Sequence, residues 1–176
     1  EIRDKEPAQI AFRASVTGHL VLSTLHTNDA AGAVTRLIDL GLEPFMVASS
    51  LLGVVSVRLV RTLCPRCREP YEAEAATLNR LRRGTHGEGD VTLYRGRGCP
   101  QCHDTGYYGR TGIYEVLEID DSIRGLIAQG VSDAAIRQAA TEAGMRSIGE
   151  DGLSKVFEGK TTLDEVTRVV YLAEEH

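Results

Sequence analysis

The residues best suited to chemistry are the chain's four cysteines, which stand as two Cys-x-x-Cys pairs, Cys64 with Cys67 and Cys99 with Cys102. Two residues between cysteines let a tight turn aim both thiolates at one ion. Two such turns complete a tetrahedral four-sulfur site, which suits Zn²⁺. Four thiolates leave no open position, so a metal held this way is structural. The 31-residue interval between the pairs is longer than a simple zinc ribbon needs and must form structure of its own. Disulfides would call for an oxidising compartment, to which nothing in the sequence points. A thioredoxin-like redox pair would not need two copies. His86 and His103 read as solvated, because a fifth ligand is not wanted beside a complete set of four cysteines.

Two polar clusters form a second group of interest. One is Glu1-Ile2-Arg3-Asp4, just before a helix; the other is Ser23-Thr24-Leu25-His26-Thr27-Asn28, after an apolar run. A carboxylate at a strand end beside a phosphate site can orient a water or help hold Mg²⁺, and a nearby histidine can touch a γ-phosphate. Loop acids and histidines are usually just solvated, so composition alone assigns these residues no role.

The elements that must position these groups follow from the pattern. Pro7 fits the first turn of a helix over 8–15, with Gly18 at its end. His19 to Leu25 is almost continuously apolar and β-favouring, like a parallel strand covered on both faces. Asn28 is the expected cap of a helix carrying Ala30, Val34, Leu37 and Ile38 on one face, ending at Gly41. Glu43-Pro44 starts a third helix, and a strand is predicted over 54–60. Alternation of helix and buried strand predicts an α/β fold with a doubly wound parallel sheet. Between the cysteine pairs a helix is expected over 73–83, a loop over 85–90 and a strand over 91–95. A strand over 111–119 follows, then amphipathic helices. Ser122 or Asp121 caps 123–129, Ser132 caps the next, and Leu153, Val156 and Phe157 mark another that Gly159 stops. Thr162 to Glu165 reads as a capping box for the last.

Composition bounds the function. Of 176 residues, 42% are hydrophobic and 26% charged, which suits a globular protein. No apolar run approaches the roughly 20 residues of a membrane helix, and no signal peptide is visible. The chain lacks an initiator Met and reads as a fragment whose N-terminus lies upstream. The net charge of −5 is uneven: residues 58–110 carry 10 Arg and 6 acids, whereas 111–176 carry 6 basic and 13 acidic residues. The basic middle is either solvated surface or a contact for acidic lipid headgroups or a partner's acidic patch. Nucleic acid is disfavoured by the acidic total and by the lack of stacking aromatics, Tyr71 and Tyr94 being the only ones between Arg58 and Pro100.

Three stretches carry a family resemblance. Glu1-Ile2-Arg3-Asp4-Lys5-Glu6 resembles the end of the Walker B motif of secretion ATPases. Thr17 to Asn28 (Thr-Gly-His-Leu-Val-Leu-Ser-Thr-Leu-His-Thr-Asn) resembles their His box. Gly106-Tyr107-Tyr108-Gly109-Arg110-Thr111-Gly112-Ile113-Tyr114-Glu115 is similar to their Gly-Tyr-x-Gly-Arg-x-Gly-Ile-x-Glu stretch. Together they resemble the type II secretion and type IV pilus assembly ATPase superfamily, GspE type, in which the tetracysteine zinc subdomain is typical. Pro7 departs from the usual Thr. The resemblance implies the C-terminal half of a RecA-like P-loop NTPase sheet (1–62), a small tetracysteine zinc subdomain (63–110), and a strand with a C-terminal helical bundle (111–176). It implies that Glu1 is catalytic and that His26 contacts nucleotide, with Arg3 and His19 in support; Ser122 to Ile127 resembles a helix that transmits nucleotide state, Arg124 its exposed polar handle.

For the intact parent the resemblance implies a cytoplasmic homo-hexamer, peripheral to the inner membrane, using ATP and Mg²⁺. Its partners would be the platform and cytoplasmic-domain proteins of the secretion system, and it leaves room for peripheral membrane contact. A pilus assembly ATPase and a zinc-ribbon binding module are the alternatives. The phosphate-cradling Gly-x-x-x-x-Gly-Lys-Ser/Thr loop is absent from this sequence, so these 176 residues alone are expected not to hydrolyse ATP.

Overall fold

The long strand β1 (Gly53–Leu63) pairs with β4 (Tyr107–Glu118) in a two-stranded sheet. The N–H of Ile119 donates to Leu52 O at one end and that of Cys64 to Gly106 O at the other, so the strands run in opposite directions. A computed structural model describes residues 1–73 and 92–171. The helix expected over 73–83 and the loop over 85–90 therefore lie all but wholly outside the described residues. The chain divides into two compact units, each drawn from two stretches: Glu1–Ser56 with Glu115–Arg146, and Val57–Tyr114 with Ser147–His176. This division cuts across the consecutive segments 1–62, 63–110 and 111–176.

The first unit holds α1 (Lys5–Val16), α2 (Ala30–Asp39), α3 (Pro44–Ser50), α4 (Asp121–Ala128) and α5 (Asp133–Glu142). Its core joins Phe12, Val34, Leu37 and Val47 to Leu117 from β4 and to Ile123, Ile127 and Ile136 from α4 and α5. Three of these helices, α2, α4 and α5, start where a side-chain oxygen reaches a free N–H, whereas α1 and α3 have no side-chain cap. For α2 that residue is Asp29, not Asn28: Asp29 Oδ1 accepts the Gly32 N–H at 2.7 Å. For α4 it is Asp120, not Ser122 or Asp121, accepting from Ile123 at 2.8 Å. Ser132 caps α5 as expected. Arg124 is no free handle, since its guanidinium donates to the carbonyls of Ala48 and Ile119.

The run His19 to Leu25 forms no strand, and Leu20 and Leu22 are exposed. A strand exists through a ladder of bonds to a neighbour. Here the His19 N–H donates to Ala14 O at 3.1 Å, at the end of α1, and Thr24 O accepts the Ile2 N–H at 2.9 Å. These are isolated ties rather than a ladder. The apolar run supplies β propensity, but the described residues supply no neighbouring strand. β1 likewise is not covered on both faces: exposed and partly buried residues alternate along it, as on a half-buried strand.

The second unit holds the antiparallel pair β2 (Arg68–Tyr71) and β3 (Leu93–Gly96), with α6 (Ile148–Phe157) and α7 (Leu163–Tyr171). Val60, Leu93, Ile113, Val156 and Val166 form its core. A capping box of Ser147 and Glu150 starts α6. At α7 only half of the expected box forms. Thr162 Oγ1 accepts the Glu165 N–H at 3.2 Å, but the Glu165 carboxylate turns to two arginines. It accepts from Arg61 Nη2 at 2.6 Å, Arg61 N–H at 3.1 Å and Arg168 Nη2 at 2.7 Å. Arg61 also lies over the Tyr107 ring, 4.2 Å from its centroid. Part of the basic middle is thus spent internally: Arg68 donates to Gly159 O and Arg95 pairs with Glu69.

Glu165 is 1% exposed. Burial alone would raise its pKa, but the guanidiniums of Arg61 and Arg168 outweigh that and bring it from 4.5 down to about 2. A carboxyl depressed in the folded state stabilises above its unfolded pKa and loses that contribution as pH falls toward the folded one. Glu165→Gln should therefore cost about 3 kcal/mol at pH 7. The gap between variant and parent in urea unfolding should close between about pH 4.5 and about pH 2.

Candidate active site and metal centre

The chain start is brought to the His26 loop by the Ile2 to Thr24 backbone bond and by burial of the Ile2 side chain. Glu1 then sits between the Arg3 guanidinium and the His26 imidazole. Its Oε1 accepts from Arg3 Nε at 2.7 Å and its Oε2 from Arg3 Nη2 at 2.8 Å, a two-bond fork. Oε1 also lies 2.7 Å from His26 Nε2. The Arg3 hydrogen bonds hold the Glu1 carboxyl below the usual carboxylate range, with the Arg3 and His26 charges adding to the effect. Arg3 is held correspondingly above its own ordinary value. An ionised carboxylate in this setting accepts hydrogen bonds well and takes up protons poorly.

Beside this pair is an open cavity of about 420 Å³ lined by Ile2, Arg3, His26 and Arg36. Its cationic side chains suit an anion such as a phosphate group. Of the residues singled out by sequence, Glu1, Arg3 and His26 meet here and His19 does not. His19 stands near Thr17, with Nδ1 3.2 Å from Thr17 Oγ1, and lines a separate cavity with Phe12, Ser15 and Leu51. Sequence reasoning missed Arg36. Its available signal was its place on the helix that directly follows the His26 loop.

The start of that helix is held from two directions. Glu115, on β4 and 5% exposed, accepts the N–H of Ala30 at 2.9 Å. Asp29 Oδ2 accepts from Arg137 Nη2 on α5 at 2.5 Å. Neither contact is visible in the sequence, because the partners are remote along the chain.

The cysteines converge in the second unit. Cys64–Cys67 lies between β1 and β2, and Cys99–Cys102 lies between β3 and β4. Pairing of Arg68 with Gly96 therefore sets the two turns side by side. The backbones also touch: Arg97 N–H donates to Cys67 O and Cys64 N–H to Gly106 O. Gly96 and Gly106 permit this approach, since a Cβ on Gly96 would fall 2.2 Å from Gly106 O. The Sγ atoms all lie within 4.8 Å of one another. Cys64–Cys99 and Cys67–Cys102 are 3.8 Å apart and Cys99–Cys102 is 3.7 Å. Sulfurs placed tetrahedrally about 2.3 Å from a zinc ion are separated by about 3.8 Å. The set thus fits a metal ion such as zinc. Burial pushes Cys67 up to about 12; it would also raise Cys102, but N–H donors from Gly106 and Cys99 bring that thiol down to about 7. His103 is exposed and is not one of the clustered ligands, whereas His86 lies outside the described residues.

By fold the chain is similar to a pilus retraction motor and to the ATPase DotB. It matches the pilus retraction motor PilT, crystallised with ADP, at a TM-score of 0.62 and 22% identity, over 96% of this chain and 37% of that one. It matches the ATPase DotB of Yersinia pseudotuberculosis at 0.63 and 17%, over 98% and 36%. The family model for "Type II/IV secretion system protein" matches residues 1–168, and the chain belongs to that family. It is 54% identical over 169 residues to the type II secretion system protein E of Pseudomonas aeruginosa, and equally so to the type II secretion system ATPase E of Vibrio cholerae. Each match covers 96% of this chain and 33% of the relative. The type IV pilus assembly ATPase PilB of Thermus thermophilus is 48% identical over 94% of this chain and 19% of its own length. The chain thus spans about a third of the secretion relatives it matches. Among the described residues, no helix is long and apolar enough to cross a membrane.

Metal analysis after dialysis should find one Zn²⁺ per chain, because the sulfur spacing already matches the ion. Cys99→Ser or chelation should weaken hydrogen-exchange protection around 64–102 far more than around α1 to α3, since metal binding supplies folding energy locally. Uniform loss across both units would contradict this.

Proposed function

We propose that this chain is the C-terminal part of a hexameric ATPase that powers type II protein secretion, with Glu1 and His26 at its hydrolytic site. The observation that carries the reading is the 2.7 Å contact of Glu1 Oε1 with His26 Nε2, inside the Arg3 fork. Glu1 accepts a hydrogen bond from the attacking water and orients it. The water's oxygen bonds to the γ-phosphorus as the bond to the leaving ADP oxygen breaks, and the proton leaves with the phosphate. Orientation, not deprotonation, suits a carboxylate that Arg3 holds ionised. His26, Arg3 and Arg36 offset charge on the phosphate oxygens. Mg²⁺ when bound would neutralise β- and γ-phosphate charge.

In this reading residues 1–62 belong to a RecA-like sheet, 63–110 to a structural zinc subdomain, and 111–176 to a strand with a helical bundle. Support comes from family membership and from the sulfur spacing. The motor works in the cytoplasm beside the inner membrane and passes its motion to the platform and cytoplasmic-domain proteins of the secretion system. Pilus assembly is the second reading, favoured by the PilB relative at 48% identity. Family membership leaves little room for a free-standing zinc-ribbon module.

In the full-length enzyme Glu1→Gln should lower ATP turnover at least 100-fold while leaving nucleotide affinity within a few-fold. His26→Ala should lower turnover about 10-fold or more by removing its contact near the γ-phosphate. Normal turnover by Glu1→Gln in a phosphate-release assay would refute the assignment. The 176 residues alone should show no turnover above background, because positioning by a phosphate-cradling loop cannot be replaced by the remaining groups.

A further inference from the structure

We propose that Glu115 is a positioning residue that holds His26 against Glu1. The inference rests on reading Glu1 and His26 as the hydrolytic pair. Ala30 is the first residue of α2, and its N–H has no partner within the helix. Ala30 is fully buried, so water cannot satisfy that N–H. Glu115 supplies the missing acceptor at 2.9 Å from β4, 85 residues further along the chain.

The bond fixes more than a helix end. Asp29, the preceding residue, caps Gly32 through Oδ1 and is clamped by Arg137 through Oδ2. Its carbonyl accepts from Thr27 Oγ1 at 3.1 Å. Thr27 directly follows His26, whose Nε2 lies 2.7 Å from Glu1. A continuous set of bonds therefore runs from a buried carboxylate on a strand to an exposed imidazole on a loop. The imidazole side chain is itself 83% exposed, so little else packs it in place. If α2 starts loosely, His26 loses its fixed position, and a displacement of about 1 Å is enough to cost up to 100-fold in rate.

What Glu115 must provide is an acceptor at the right point, not a charge. Two substitutions separate these. Glu115→Gln keeps an acceptor oxygen at the same reach, whereas Glu115→Asp keeps the charge and withdraws the acceptor by one methylene. In the full-length enzyme, Glu115→Ala should lower kcat about 10-fold or more with KM for MgATP within twofold of the parent. Glu115→Gln should rescue kcat to within about threefold. If Glu115→Ala does not fold, Glu115→Asp is compared with Glu115→Gln in its place and should be the slower of the two.

A purely structural role would lower melting temperature without moving kcat per folded enzyme. Parent-like kcat in Glu115→Ala, or in Glu115→Asp, overturns the proposal, as does a Gln variant no faster than the Ala or Asp variant. Glu1→Gln run alongside separates the two levels. Inactive Glu1→Gln beside fully active Glu115→Ala defeats this inference alone, while normal hydrolysis by Glu1→Gln defeats the site reading and this inference with it.

Discussion

The pairing of β1 with β4 is the constraint on which the rest depends. The two strands are far apart in sequence, and each contributes to both compact units. Inward-facing residues alternate along β4, so Ile113 and Leu117 enter different cores while Glu115 between them reaches the start of α2. A one-residue slip would turn all three outward and bring Tyr114 and Val116 in. Register here therefore fixes two hydrophobic cores and one buried carboxylate at once.

The two candidate centres are built by different means. The metal centre uses backbone geometry: two tight turns, a short antiparallel ladder and a glycine contact that side chains would block. Its ligands sit close because the main chain leaves them little choice. The Glu1 cluster uses charge and hydrogen bonds between partly exposed side chains. Such a cluster is held by its supports, and its supports are Ile2, the first turn of α2 and the residues that satisfy that turn.

Local chemistry was legible in the sequence and remote chemistry was not. The cysteine spacing announced the sulfur cluster, and Ser132 and Gly41 announced a helix start and a helix stop because caps act within a few residues. Family motifs brought Glu1, Arg3 and His26 into view but also drew in His19, which stands apart. Asn28 looked like a cap as good as Asp29, and only the geometry of the Gly32 N–H separates them. Glu165 looked like half of a capping box, yet its carboxylate serves Arg61, 104 residues away. Glu115 gave no signal for the same reason. The apolar run at His19 misled in the opposite sense, since propensity can favour a strand but cannot supply its neighbour.

The interleaving of the two units has a consequence for synthesis. A ribosome delivers the chain from the N-terminus, and domains tend to fold as their last residues emerge. The core of the first unit needs Leu117, Ile123 and Ile136, so α1, α2 and α3 must wait while residues 57–114 are made. The cysteine turns close within that delayed stretch and can take up metal before the earlier helices are complete. The core of the second unit in turn needs Val156 and Val166, so the unit that holds the cysteine turns is the last to close, after the first unit has all of its residues.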